Sequence, residues 1–223
     1  MLNRSDIFMQ EYGMLRENPN FFHTLHEQVA LGIDVKAIEE RERDMQIIEL
    51  REKLAKKAEG IVLETNIGVS MNYQFYNMSK IRRFIGCDWV QSTNKKAEQK
   101  AANAKEVSII NCDMHRTPFS DGSFDTVVDT FGLECSYNLD KAYAEVKRVT
   151  KPGGRILLLE RGIGFWRWDN FTLLQKASVN LGARGQVYHH DYAHLIEQDP
   201  EVRVVRSKRK VRGLLYYYEL QKL

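Results

Sequence analysis

Gly60-Ile-Val-Leu-Glu-Thr-Asn-Ile-Gly-Val-Ser70 reads as a short buried strand, Ile61 to Leu63, ending in an acid, Glu64, and a tight turn. In an α/β sheet this is where the chain presents a nucleotide-like ligand to a helix N-terminus. Such a turn usually takes several glycines, so that the backbone can bend sharply and approach the ligand. Here Gly68 stands alone, with Asn66 and Ser70 at positions where glycine is expected. Val69 follows Gly68, and a β-branched side chain at a position with φ > 0 would crowd a ligand and weaken its binding.

Outward from this stretch the chain alternates strand and helix. Phe84 to Cys87 is a short apolar run closed by Asp88, and Asn94 to Ala104 an Ala/Lys-rich helix. Val107 to Asn111 is the next strand, leading to Cys112-Asp113, and Phe124 to Asp129 another. A helix follows from about Leu139 to Thr150, then the stop Lys151-Pro-Gly-Gly154 and the aliphatic strand Arg155 to Glu160. This rhythm implies a parallel sheet with right-handed crossovers and strands buried on both faces. Val202 to Val205 and Gly213 to Glu219 read as an antiparallel pair at the sheet edge. Upstream, Ile38 to Ala58 reads as one charged helix with the i,i+4 pairs Glu49/Lys53 and Glu52/Lys56. Residues 1–57 form an N-terminal helical extension, a cover for the sheet or a partner-binding arm, and residues 58–223 one α/β domain.

The 223 residues suffice for one core, and 33 basic against 30 acidic side chains leave a net charge of only +3. That balance argues against a dedicated nucleic-acid binder while leaving room for a local basic patch. Aliphatic runs such as Ile156 to Leu159 are too short to span a bilayer. Cys87, Cys112 and Cys135 lack metal-type spacing and read as buried free thiols, consistent with a reducing compartment. Asp6 and Glu11 are unlike a secretory signal and poor for a mitochondrial presequence.

The chemistry sits at the strand ends, which carry Glu64, Asp88, Asp113, Asp129 and Glu160. An acid about twenty residues past a glycine-bearing loop can accept both hydroxyls of a ribose, and Asp88 is so placed. Asp113 can meet an adenine amino group, with Trp89 and Met114 as apolar faces for the ring. Helix capping is the competing role for such acids.

Tyr188, His189, His190 and Asp191 suggest an acid/base or metal cluster, yet neighbouring strand residues face opposite ways. Arg206-Ser-Lys-Arg-Lys-Val-Arg212 reads as a charged turn between the last two strands. Its sharper reading is an RNA or phosphate contact through Arg206, Lys208, Arg209, Lys210 and Arg212. Trp166 and Trp168 open a helix reaching Leu181, and Tyr216, Tyr217 and Tyr218 alternate across a strand.

Two stretches carry a family likeness: Pro118-Phe-Ser-Asp-Gly-Ser-Phe-Asp-Thr-Val-Val-Asp129, and Ala144-Glu-Val-Lys-Arg-Val-Thr-Lys-Pro-Gly-Gly-Arg-Ile-Leu-Leu-Leu-Glu160. With Leu133 between them, they resemble class I S-adenosylmethionine-dependent methyltransferases of the ubiquinone-biosynthesis type. Val62 to Thr65 and Asn72 to Tyr76 resemble a mitochondrial Oms1-like branch. The resemblance is strong over about residues 58 to 162. It implies a Rossmann-like α/β fold: a mostly parallel seven-stranded sheet with an antiparallel C-terminal strand pair. It further implies S-adenosylmethionine as cofactor, with Glu64, Asn66 and Gly68 at the methionine part and Asp88 at the ribose. Asp113 and Met114, with Trp89, fall at the adenine, while Asp129 to Phe131 floor the transfer pocket. The implied activity is methyl transfer to an unidentified acceptor, and the implied compartment is mitochondrial, with cytoplasmic as the alternative. The sparse glycines support a second reading, a non-catalytic subunit with a structural or assembly role in a larger complex.

Overall fold

The computed structural model describes residues 34–90, 106–162, 164 and 190–223. Most of the segment 1–34, the helix expected over 94–104, the Trp166/Trp168 helix, Tyr188 and His189 lie outside the described residues.

Seven strands form one sheet: β1 Gly60–Thr65, β2 Ile81–Asp88, β3 Val107–Asn111, β4 Phe124–Thr130, β5 Thr150–Arg161, β6 Val202–Lys210 and β7 Leu215–Lys222. Their order is β3-β2-β1-β4-β5-β7-β6. The first five run parallel, and β7 is antiparallel to both β5 and β6. The order reverses between β1 and β4, so the crevice beyond their carboxyl ends is the switch point of the sheet.

Among the described residues four α-helices flank it: α1 Val35–Asp44, α2 Ile47–Ala55, α3 Leu139–Val149 and α4 Tyr192–Glu197. Alternate strand residues feed two cores. Leu63, Val127, Ile156, Leu158, Tyr216 and Tyr218 meet Tyr143 and Val146 of α3 and Tyr192 and Ile196 of α4. Val62, Val128, Leu157, Leu159 and Tyr217 meet Ile47, Leu50 and Leu54 of α2. The three consecutive tyrosines therefore serve both faces, as the period of two dictates.

Three expectations change in detail. The single charged helix is two, broken where Gln46 takes φ 56° and Met45 becomes exposed. The break folds α1 back along α2, bringing the Glu42 carboxylate onto Arg51. Lys151-Pro-Gly-Gly154 does not stand apart from its strand. Pairing starts at Thr150 opposite Phe124 and resumes at Arg155 opposite Thr126, with the Pro-Gly-Gly run in the irregularity between. Finally, Arg206 to Lys210 belong to strand β6, and the turn is only Val211 to Leu214. An edge strand has one solvent-facing side, so a run of charges is compatible with pairing there.

Candidate functional site

Asp88 closes β2 and organises the loop after β1. Its Oδ2 accepts from the Gly68 backbone N–H at 3.0 Å and its Oδ1 from that of Val90 at 2.9 Å. The loop itself is anchored by Ile67 N–H donating to the Cys87 carbonyl. Asn66, Gly68 and Ser70 take φ of 46°, 54° and 60°. The left-handed conformations thus fall on every second residue, as glycines would supply them, and Val69 is not among them. The expected clash from a strained Val69 is replaced by a milder burden on Asn66, which tolerates this region, and on Ser70. The Ser70 hydroxyl is buried and has no hydrogen-bond partner.

Beyond the loop, Asn66 Nδ2 lies 2.6 Å from Met114 Sδ, joining the segments after β1 and β3. Gly132, after β4, lies close against Asn66: an added Cβ would be 2.5 Å from Asn66 Nδ2 and 2.6 Å from Asp129 Oδ2. Trp89 stacks on Tyr137 at 5.9 Å between ring centroids, and Tyr137 on His115 at 3.7 Å. Asp113 accepts from His115 Nδ1 at 2.5 Å and from the Tyr137 hydroxyl at 3.2 Å. Burial pulls the Asp113 carboxyl up, but the His115 hydrogen bonds outweigh it and hold the group below its ordinary range. His115 Nε2, the remaining acceptor of that ring, lies 2.7 Å from Ser136 Oγ.

Glu64, at the end of β1, is held by partners from the segment after the loop. It is 1% exposed, and accepts from Asn72 Nδ2 at 2.6 Å and the Tyr76 hydroxyl at 2.9 Å. Burial raises its pKa to about 7 despite those bonds and the Arg51 charge. Arg51 grips Glu42 through Nε and Nη2 at 2.6 and 2.8 Å, and donates from Nη1 to Asn72 Oδ1 and Thr130 Oγ1. Helices α1 and α2 are thereby wired to the far end of the loop.

Asp129 ends its run beneath the crevice, accepting from the backbones of Gly132 and Leu133 and from the Thr65 hydroxyl. Burial raises its pKa, and burial with the Asp129 charge raises that of Glu160 well above the carboxylate range. Like charges this close in a buried setting each disfavour ionisation of the other. Arg161 pairs with the buried Glu134 carboxylate. Phe131, at φ 61°, lies between two guanidinium groups, with Arg51 4.8 Å and Arg161 4.4 Å from its ring centroid.

The expected residues Asn66, Gly68, Asp88, Met114, Asp129 and Phe131 are thus linked around one crevice, with Trp89 and Asp113 on its β2–β3 side. His115, Ser136, Tyr137, Arg51 and Asn72 join them without having been singled out as site residues. His115 had a readable signal, two residues past a strand-end acid. Arg51 had none, because its partners lie 9, 21 and 79 residues away. His190 is buried against Tyr192, and no metal-binding group of three or more His, Cys, Asp or Glu occurs among the described residues.

Residues 66–158 match the model of the methyltransferase domain family. This match makes residues 66–158 similar to the methyltransferase domain family, and the sheet order is compatible with that likeness. Among curated relatives it is similar to the mitochondrial methyltransferase OMS1 of Saccharomyces cerevisiae, 27% identical over 216 residues, 89% of this chain and 45% of that protein. It also resembles the ubiquinone/menaquinone biosynthesis C-methyltransferase UbiE of Burkholderia cenocepacia, 51% identical over 49 residues, 22% of this chain and 20% of that one. The chain spans less than half the length of these relatives. Solved structures show the same fold. YcgJ of Bacillus subtilis superposes with a TM-score of 0.61 at 14% identity, covering 78% of this chain and 94% of that one. An S-adenosylmethionine-dependent methyltransferase from Aquifex aeolicus gives 0.55 at 14% identity, covering 86% of this chain and all of the other.

Proposed function

We propose that this chain binds S-adenosylmethionine in the crevice beyond β1, β2 and β4 and transfers its methyl group to an acceptor. The supporting observation is the loop geometry: three left-handed residues at alternate positions, bonded to Asp88. Asp88, which holds the Gly68 and Val90 amides, would meet the ribose hydroxyls from the end of β2. Asn66, Gly68 and the unpartnered Ser70 hydroxyl would hold the methionine part. Trp89 and Met114 would pack on the adenine, with Asp113 at its edge, and Asp129 to Phe131 would floor the pocket. Glu64 acts indirectly, by fixing Asn72 and Tyr76 behind the loop.

The bound cofactor supplies an electrophilic methyl on sulfur. The protein's own contribution is positioning and exclusion of water, and such a transfer needs no dedicated catalytic side chain. A mitochondrial setting is proposed from the yeast relative, and protein partners through the N-terminal segment remain part of the same proposal. The non-catalytic subunit reading depended on the missing glycines, and the geometry at Asn66 and Ser70 gives it no support.

Calorimetric titration with S-adenosylmethionine tests the reading, with Asp88→Asn alongside. Micromolar binding, weakened at least about tenfold by the substitution, is the expected result, a loss of about 1.4 kcal/mol. No heat at millimolar cofactor, from chain shown folded by circular dichroism, would overturn it.

A further inference from the structure

The basic run of the C-terminal strand pair has no role in the methyl-transfer site, and the structure places it on a continuous surface. In the β6–β7 ladder Arg206, Lys208 and Lys210 lie opposite Glu219, Tyr217 and Leu215. Directly opposed residues of an antiparallel pair share a face, and Tyr217 and Leu215 belong to the core under α2. The three cations therefore point to the α2 side of the sheet, along its outermost strand. There they meet Lys53 of α2 and Lys57 just beyond its end. The Lys208 charge first, then burial and the Arg206 charge, depress the Lys53 pKa, which locates that ammonium within the same positive field.

Little negative charge answers this row. Glu219 is the carboxylate at its centre, buried between Lys57 and Arg206 at 3.8 Å from each and taking the Tyr217 hydroxyl at 2.7 Å. No carboxylate pairs with Lys53, Lys208 or Lys210 among the described residues. At the Lys57 end the surface sinks into a groove of about 300 Å³, where Arg155 and Arg203 extend the same charge. Alternate residues of a strand stand about 6.6 Å apart, so Arg206, Lys208 and Lys210 form an evenly spaced linear array.

We infer that the α2–β6 face is a docking surface for the phosphodiester backbone of single-stranded RNA, held by Lys53, Lys57, Arg206, Lys208 and Lys210. Charge complementarity selects a polyanion, and the linear array beside a walled groove suits a flexible strand. A bilayer would need a flatter surface, whereas the register shift between Val204 and Arg206 twists this edge. Among the described residues the strongly exposed large apolar side chains are Met45, Val205, Val211 and Leu223, none of them aromatic. Base stacking therefore contributes little on this face, and binding is by charge, tolerant of sequence. The inference stands independently of the cofactor site.

Fluorescence anisotropy with a labelled oligouridylate of roughly 20 nucleotides tests it on the full chain. Five phosphate contacts on a single strand predict that log K falls against log salt with a slope of about −3.5. The neutralised variant Arg206→Gln/Lys208→Gln/Lys210→Gln should flatten that slope by about 2 and weaken binding at least about tenfold near 0.1 M salt. Cofactor binding should be unchanged. Lys53→Gln/Lys57→Gln, on the opposite wall, should flatten the slope by about 1.4 and serves if the strand variant fails to fold. Absence of binding at low salt, equal affinity in a folded variant, or tighter binding to phosphatidylserine vesicles at matched phosphate would each overturn the inference.

Discussion

Arg51 Nη1 donates to Asn72 Oδ1 at 3.0 Å, and through this bond a helix outside the matched family region steadies the loop after β1. The guanidinium is buried and satisfies Glu42, Asn72 and Thr130 together. Arg51→Leu should therefore cost about 3–5 kcal/mol, the range for stripping one partner from a buried ion pair. Urea unfolding measures it. Arg51→Lys should recover little, because one ammonium cannot span the Glu42 carboxylate and the Asn72–Thr130 pair at once. Near wild-type stability in either variant would show that the network is not a structural tie.

Ser70 combines a left-handed backbone with a buried, unpartnered hydroxyl. Both cost free energy in the ligand-free chain, and glycine relieves both while adding unfolded-state entropy. Ser70→Gly should raise stability by about 1 kcal/mol, a shift of a few degrees in Tm for a chain of this size. Ser70→Val, unsuited to φ > 0, should lower it by at least about 1 kcal/mol. Equal melting points for the two would show that the loop relaxes freely around position 70.

These effects also explain what could be read from the sequence. The central strands were legible because Val62, Leu63, Val127, Val128 and Ile156 to Leu159 are buried on both faces, leaving aliphatic runs that nothing else explains. The loop was recognisable but its strain was assigned one residue early, to Val69, since φ follows from the path of the chain. The α1–α2 break was hidden because Met45 and Gln46 carry no breaker signal. Glu64 was visible as a strand-end acid, yet its partners Asn72 and Tyr76 are brought to it only by the fold. The extent of β6 was missed because five charges in seven residues suggest solvent, and an edge strand is half solvent.

Gly132 is a steric requirement. Its φ of −91° suits any residue, so only the space for a side chain is at issue. The Cβ of Gly132→Ala would press on Asn66 Nδ2 and Asp129 Oδ2. Relief requires Asn66 to leave Met114 or Asp129 to release the Gly132 and Leu133 amides. Either route should cost about 1–3 kcal/mol. It should also weaken S-adenosylmethionine binding at least about tenfold, because Asn66 borders the proposed methionine site. Chemical unfolding and calorimetry measure the two effects. An alanine variant with unchanged affinity would remove Asn66 from that site.

Glu64 makes the stability of this chain pH-dependent in a direction opposite to that of a salt-bridged carboxylate. Burial raises its pKa from 4.5 to about 7 in the folded state, so the folded chain holds this proton more tightly than the unfolded chain. Its contribution is fully present below about pH 4.5 and is lost as pH rises through 7. The shift amounts to about 3 kcal/mol across that window. Asp129, Glu134 and Glu160 are also raised by burial and add slope of the same sign. Glu64→Gln stays neutral and can still accept the Tyr76 hydroxyl, so it should flatten the dependence by up to one proton. Urea unfolding at intervals from pH 5 to pH 8 is the measurement. Wild type should lose stability steadily over that range, and the variant should lose less. Parallel curves would mean that Glu64 is ionised in the folded state throughout, with the Arg51 charge outweighing its burial.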